Sequence, residues 1–355
     1  DANVTVQGGW GGFTRPDMIP TDSRAYDEYS RKFYEAQEFV YGKTSKYYAV
    51  DPYHEGGKRP EGLTDDKVSK EVLESLLEYD KEAVWIVQGW QSNPTNSMLK
   101  GMGEYRNKHV LVVDLVKYPL KSWTKYNKLS YGNTPLESKE FNGTNWAWCL
   151  LGNFGGNPSM HGQMDVMVED ILTAQKTSKY MQGIGIISEA TYENPILYDL
   201  IFDLVWADQS FDLTQWIDKY IERRYGAITE NARLAWKTMR SSNYNHGVRY
   251  TNELFGMKGK GPHNYNMQNI PYGAENLETA FKLLAADYDK FKDSPCFRYD
   301  MTEIMRQVVS NYAVLTYNDI LKAKETGSLS AFLEKKKEFL NAFDIINTVQ
   351  ATQKE

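Results

Sequence analysis

Two hydrophobic patterns divide the chain, with the change near residue 205. Before it, short apolar runs alternate with longer amphipathic stretches. The runs are NVTVQGGW (3–10), KYYAVDPY (46–53), AVWIVQGW (83–90), HVLVVDL (109–115), TNWAWCLLGNF (144–154) and MQGIGIIS (181–188). They are continuous rather than alternating, which is the pattern of parallel strands covered on both faces, and they predict six strands. Between them, TDDKVSKEVLESLLEYDKE (64–82) places Val68, Val72, Leu73, Leu76 and Leu77 at helical spacing, so the repeating unit is a strand followed by a helix. That repeat predicts an α/β fold, either a barrel or a doubly wound sheet. The predicted strands end in Trp10, Glu55, Trp90, Asp114, Asn153 and Glu189. In a barrel such residues converge at the C-terminal face, where active sites of that fold sit, although six strands fall short of the eight that close one.

After residue 206 helical periodicity takes over. FDLTQWIDKYIERRYGA sets Leu213, Trp216, Ile217, Tyr220 and Ile221 on one face and is expected to stop at Gly226. NLETAFKLLAADYDKF, YDMTEIMRQVVSNYAVLTYNDILKA and the stretch from Ser328 follow the same rule. Residues 241–275, rich in Tyr, Asn and Gly, read as a long insert, and loops of that length are more often functional than ornamental. The chain opens on Asp1 and closes inside a helical pattern, which raises the expectation of further strands upstream and further helices downstream.

Composition narrows the field only slightly. With 41 Lys plus Arg against 47 Asp plus Glu and no dense basic run, nucleic acid and anionic membrane surfaces are unfavoured partners. No apolar span reaches the length of about 20 residues needed to cross a bilayer. Twenty-five Tyr, nine Trp and fourteen Phe are a rich supply of rings with polar edges, suited to sugar rings and equally to cores. Cys149, inside WAWCLL, reads as a buried free thiol, and two cysteines exclude a disulfide scaffold.

The pair His54-Glu55 invites a metal reading, which fails. A zincin helix needs a second histidine three residues after the glutamate, whereas position 58 is Lys and Pro52, Gly56 and Gly57 argue for a strand end and turn. The five histidines have no ligand-like spacing, no glycine-rich loop opens a helix, and no Gly-x-Ser-x-Gly elbow is present, so neither metal nor cofactor is called for. What remains is a pair of carboxylates, Glu55 and Glu189, each at a strand end. Two such groups facing one another are what glycoside hydrolysis requires. The competing reading is that either is a solvated loop residue or a helix N-terminal charge; against it stands the logic that sites collect at barrel strand mouths. Glu193 reads as a helix N-terminal charge ahead of Pro195, and Asp51 and Asp114 as residues that hold a neighbour.

The block NWAWCLLGNFGGNPSMHG (145–162) closely resembles the sequence that marks α-N-acetylglucosaminidases, and YYAVDPYHEGG, EAVWIVQGW, GIGIISEATYENP and FRYDMTEIMRQ match in the same order. The family includes a lysosomal heparan sulfate enzyme and gut bacterial relatives. The resemblance implies a fold of the (β/α)8 TIM-barrel type, here its later part over residues 1–205, followed by an all-α domain over 206–355 that is incomplete. It implies removal of terminal α-linked N-acetylglucosamine from a glycan by a retaining double displacement, with Glu55 as general acid/base and Glu189 as nucleophile. Trp90, Trp148 and Asn153 fall on motif positions near the sugar; Tyr53 and Trp90 would dry the pocket around Glu55, and His54 would orient a neighbour or a sugar hydroxyl. Gly152 stands where some relatives have His, and SEATYEN replaces a Pro-Glu-Gly type of sequence around Glu189. A periplasmic or secreted location is implied for a bacterial member and a lysosomal one for an animal member. The rivals are a homologue that only binds sugar and an inactive piece of the enzyme.

Overall fold

Gly11 and Gly12 decide what becomes of the first apolar run. Both adopt positive φ, 56° and 89°, and two such residues in succession make the tight turn that suits a two-residue hairpin. Strand β1 (Gly9–Trp10) therefore folds back on β2 (Phe13–Thr14), and Thr5 bridges Met18 in the same antiparallel sense. The run 3–10, expected as a sheet strand, is thus the first arm of a hairpin, because its glycines reverse the chain before a crossover helix can form. The computed structural model describes residues 3–52, 55–90, 93–115, 140–153, 159–189, 194–245 and 270–353.

The other five runs do form one sheet, in the order β3 (Tyr47–Ala49), β4 (Val84–Gly89), β5 (Val110–Asp114), β6 (Trp146–Gly152) and β7 (Met181–Ser188). The pairings from β3 through β6 are parallel and follow chain order, as repeated strand-helix units dictate. Helix α1 (Arg24–Tyr41) precedes β3, α2 (Asp65–Tyr79) joins β3 to β4, and α3 (Asn96–Gly101) with the short α4 (Arg106–His109) joins β4 to β5. The turn α5 (Glu140–Gly143) leads into β6, and α6 (Met164–Thr177) joins β6 to β7. Helix α2 buries Val68, Val72, Leu73 and Leu76 of the face that its periodicity predicts and leaves Leu77 half-buried.

The sheet is open and its two faces differ. Along β4 and β5 buried and half-buried residues alternate, rather than being buried throughout as continuous apolar runs suggest. Register puts Trp85, Val110, Val112 and Trp146 on the buried face, while Ile86, Leu111, Val113 and Ala147 share the other. The indoles of Trp85 and Trp146 find polar partners inside that core, donating to the Val50 carbonyl at 2.9 Å and to Ser178 Oγ at 3.1 Å.

Two units are distinguishable: Asp1–Leu150 with Thr173–Ile187, and Leu151–Leu172 with Ser188–Glu355. The second is helical. It contains α7 (Pro195–Leu204), α8 (Leu213–Tyr225), α9 (Glu230–Ser241), α10 (Ala274–Ala286), α11 (Tyr288–Phe291), α12 (Pro295–Glu325) and α13 (Leu329–Gln350). Pro195 opens α7 and Gly226, left-handed at φ 84°, caps α8 where the sequence places its stop. Tyr220 lies between the rings of Trp216 and Trp236, with centroids 5.4 and 5.2 Å away. Beside this stack Arg224 clasps Asp300 through two hydrogen bonds of 2.9 and 2.6 Å, and Tyr225 donates a third at 3.0 Å. Among the described residues no helix is long and apolar enough to cross a membrane.

Asp300 is buried, so its ion pair is conditional on both partners. Replacing Asp300 with Ala leaves the Arg224 charge uncompensated and is expected to lower the unfolding free energy by about 3–5 kcal/mol. Removing Glu278, whose pair with Lys282 is exposed, leaves the denaturation midpoint in place. Equal midpoints for the two variants in chemical denaturation would contradict this account of the helical core.

Candidate active site

Glu55 sits in the turn after β3, with φ of 45°, a left-handed conformation that costs a residue with a Cβ and is found where the surroundings impose it. The surroundings here are specific. Trp10, from the hairpin, donates its indole N–H to Glu55 Oε2 at 2.6 Å, and Trp90, from the end of β4, donates to Oε1 at 2.9 Å. Arg15 holds the backbone, its Nη2 donating to the Glu55 carbonyl at 2.7 Å. Both carboxylate oxygens are thereby oriented by donors on rigid rings, and hydrogen bonds to a carboxylate are the stronger kind.

The hairpin is itself tied to the segment that follows Glu55. Gln7 Nε2 donates to the Lys58 carbonyl at 2.8 Å, the Lys58 N–H returns a bond of 2.7 Å to Gln7 Oε1, and the Gln7 N–H bonds Asp17 at 3.2 Å. The misplaced first strand therefore acts as a clasp. Trp10 and Arg15 also line a cavity of 620 Å³ with Asp17, Tyr26, Tyr29 and Asp51.

Trp90 and Trp148 do not share a surface. Trp90 continues the face of Ile86 and packs with Leu111, Val113 and Ile187 against Leu115, Ala147 and Cys149. Trp148 pairs with Asp114 in register, on the opposite face, and is only 5% exposed. Its place is that of a core side chain, because strand alternation turns it away from Trp90. Cys149 is the buried free thiol that the apolar run predicts. Burial, reinforced by the Asp114 charge, pushes it up to about 12.

The second carboxylate belongs to the other unit. Glu189 is exposed immediately beyond β7, its N–H donating to the Gly152 carbonyl at 3.1 Å, so backbone pairing continues one residue past the strand. Asn153 follows Gly152, is 2% exposed and, like Glu55, is left-handed, at φ 48°. A side chain at position 152 would bring its Cβ within 2.5 Å of the Tyr198 hydroxyl, so glycine here accompanies a close tyrosine. Tyr53, His54, Glu193 and most of the 241–275 insert lie outside the described residues. Of Asp51 and Asp114, read as holding residues, the first borders the 620 Å³ cavity and the second acts on the Cys149 thiol through its charge. Among the described residues no group of three His, Cys, Asp or Glu could hold a metal ion.

Comparison with known proteins gives these placements a context. The model of the alpha-N-acetylglucosaminidase (NAGLU) TIM-barrel domain matches residues 1–208, and that of the NAGLU C-terminal domain matches 216–355. The chain belongs to the α-N-acetylglucosaminidase family. A human alpha-N-acetylglucosaminidase is 26% identical over 347 residues, covering 93% of this chain and 45% of its own length. A family 89 glycoside hydrolase from Clostridium perfringens, solved with PUGNAc, superposes with a TM-score of 0.81 at 31% identity over 97% of this chain and 38% of that one. The C. perfringens protein CpGH89, with two glutamates replaced by glutamine and in complex with its substrate GlcNAc-alpha-1,4-galactose, gives 0.80 at 31% identity, covering 98% and 39%. The chain thus spans less than half the length of these relatives. In α-N-acetylglucosaminidase terms, it holds a barrel portion whose five strands do not close and a helical C-terminal portion.

Sequence reasoning noted Trp10 as a strand end without seeing its partner, and it passed over Gln7 and Arg15. The available signal was GGWGG, a tryptophan fixed between turn-forming glycines. One consequence of the packing near Trp90 is chemical. With its thiol at about 12, roughly one Cys149 in ten thousand is ionised at pH 8. Iodoacetamide should leave it unmodified in native protein and label it in denaturant, as peptide mapping would show; rapid native labelling would contradict its burial.

Proposed function

We propose that the protein carrying this chain is a glycoside hydrolase that removes terminal non-reducing α-linked N-acetylglucosamine with retention of configuration. The observation that carries the reading is the Glu55 carboxylate, held by two indoles after a strand end in a chain of this family. The C. perfringens relative held with its substrate after two Glu-to-Gln changes supports a pair of glutamates as the working groups.

In an α-linked N-acetylglucosamine the 2-acetamido group lies on the face of the departing oxygen and cannot attack the anomeric carbon from behind. The protein must supply the nucleophile. Glu189 attacks that carbon while Glu55 gives its proton to the leaving oxygen, forming a β-glycosyl ester. Glu55 then takes a proton from water, which displaces Glu189 and releases the α-configured sugar. The two carboxyls must come within about 5–5.5 Å of each other for this route. Glu55 has to alternate between acid and base without losing its aim, which is the service that Trp10 and Trp90 provide.

Trp90, Asn153, Tyr53 and His54 are assigned to the sugar side of the site, with Trp148 as the packed support behind β6. In this reading residues 1–205 make up the catalytic barrel portion and 206–355 the helical domain, although Glu189 and α7 group by their contacts with the helices. A bacterial enzyme of this kind is then periplasmic or secreted, and an animal one lysosomal.

Glu189→Ala in the intact protein should abolish hydrolysis of an aryl α-N-acetylglucosaminide, and azide should restore turnover as a β-glycosyl azide. Unimpaired hydrolysis would remove Glu189 from the mechanism. Trp10→Phe and Trp90→Phe each delete one N–H and keep most of the ring. Each should lower kcat/KM by about tenfold to hundredfold, the kinetic equivalent of one hydrogen bond to a charged group. Wild-type kcat/KM in both variants would show that the indoles do not orient the acid/base.

A further inference from the structure

Buried amides in the helical unit converge on the two segments that resume after Asn153 and Glu189. Gln307, on α12 and fully buried, accepts the Met160 N–H at 2.8 Å. Asn194, 5% exposed, donates through Nδ2 to the Ser159 carbonyl at 3.1 Å and accepts the Tyr244 hydroxyl at 3.1 Å. Asn243, fully buried, completes the set, donating through Nδ2 to the Met160 carbonyl at 3.4 Å. Residues 159–162 begin six positions after Asn153, and Asn194 lies five positions after Glu189. Asn194 therefore ties the end of one connection to the end of the other, and Tyr244 and Gln307 fix that tie to the turn after α9 and to α12.

We infer that Asn194 is a positioning residue for Glu189, aimed by Tyr244, with Gln307 anchoring the neighbouring connection, so that the helical unit sets the geometry of the nucleophile. The inference rests on the assignment of Glu189 above. The residues themselves touch no substrate; they act through the loop ends. Buried amides are expensive to place unless every donor and acceptor is met, and a bonded network of them specifies one arrangement. Bulk packing has no need of this chemistry, since an apolar side chain would fill the same space. Gln307 extends the network by donating to Asn311 Oδ1 at 3.1 Å, and Asn311 bonds Tyr272.

The test uses the intact protein and an aryl α-N-acetylglucosaminide. Asn194→Ala is expected to lower kcat by about 100-fold with KM changed less than about twofold, the scale of an ångström-sized misplacement at the reacting atoms. Tyr244→Phe keeps the ring in its core and removes only the hydroxyl that aims Asn194. It should show the same split, at about tenfold, and carries the test if Asn194→Ala does not fold. The decisive comparison is made in the Glu189→Ala background with azide as nucleophile. There Asn194→Ala and Tyr244→Phe should cost less than about twofold, because the group they position is gone. Equal losses with and without Glu189, or wild-type kcat in both single variants, would overturn the inference while leaving Glu189 as the nucleophile. Full hydrolysis by Glu189→Ala alone would instead defeat both readings.

Discussion

Two indoles from different elements close on the carboxylate of Glu55, and the N-terminal part of the chain is arranged around that convergence. Trp90 is the end of a core strand, fixed by its packing against Cys149 and its neighbours. Trp10 is brought in by a hairpin of only four paired residues, which would not hold alone in water. The bonds among Gln7, Asp17 and Lys58 and that from Arg15 to the Glu55 carbonyl make the hairpin part of the same structure. A left-handed glutamate is the cost of this arrangement, and a fixed direction for both carboxylate oxygens is its result.

The second carboxylate is supported by different means. Glu189 is exposed and its backbone extends the β6–β7 pairing by one residue, while the connections after Gly152 and Glu189 are tied to helices through amide side chains. Aromatic N–H groups serve one carboxylate and buried amides serve the surroundings of the other. If the two carboxylates act as proposed, groups placed in this way need little reorganisation during reaction, which is where oriented dipoles contribute most.

The strands from Tyr47 onward were legible as short apolar runs between amphipathic stretches, and the helices of the second half because burial of one face leaves a helical periodicity in the sequence. So were the end of α8 at Gly226, the start of α7 at Pro195 and the burial of Cys149. The hairpin was not, since an apolar run gives no direction and only the positive φ of Gly11 and Gly12 turns it back. The face that Trp148 occupies was not legible for a related reason. A motif position marks proximity along the chain, whereas the face of a strand depends on register, and register puts Trp148 with Asp114 in the core. Glu55 could be singled out, yet its partners Trp10 and Arg15 lie 45 and 40 residues away, and such long-range pairing has no signature in a single sequence.

The claim on which the rest depends is that Glu55 and Glu189 work as a retaining pair. It is tested most directly by proton NMR of the first sugar released from an α-N-acetylglucosaminide by the intact protein, before mutarotation. The account predicts the α anomer at the earliest times; initial release of the β anomer would contradict it.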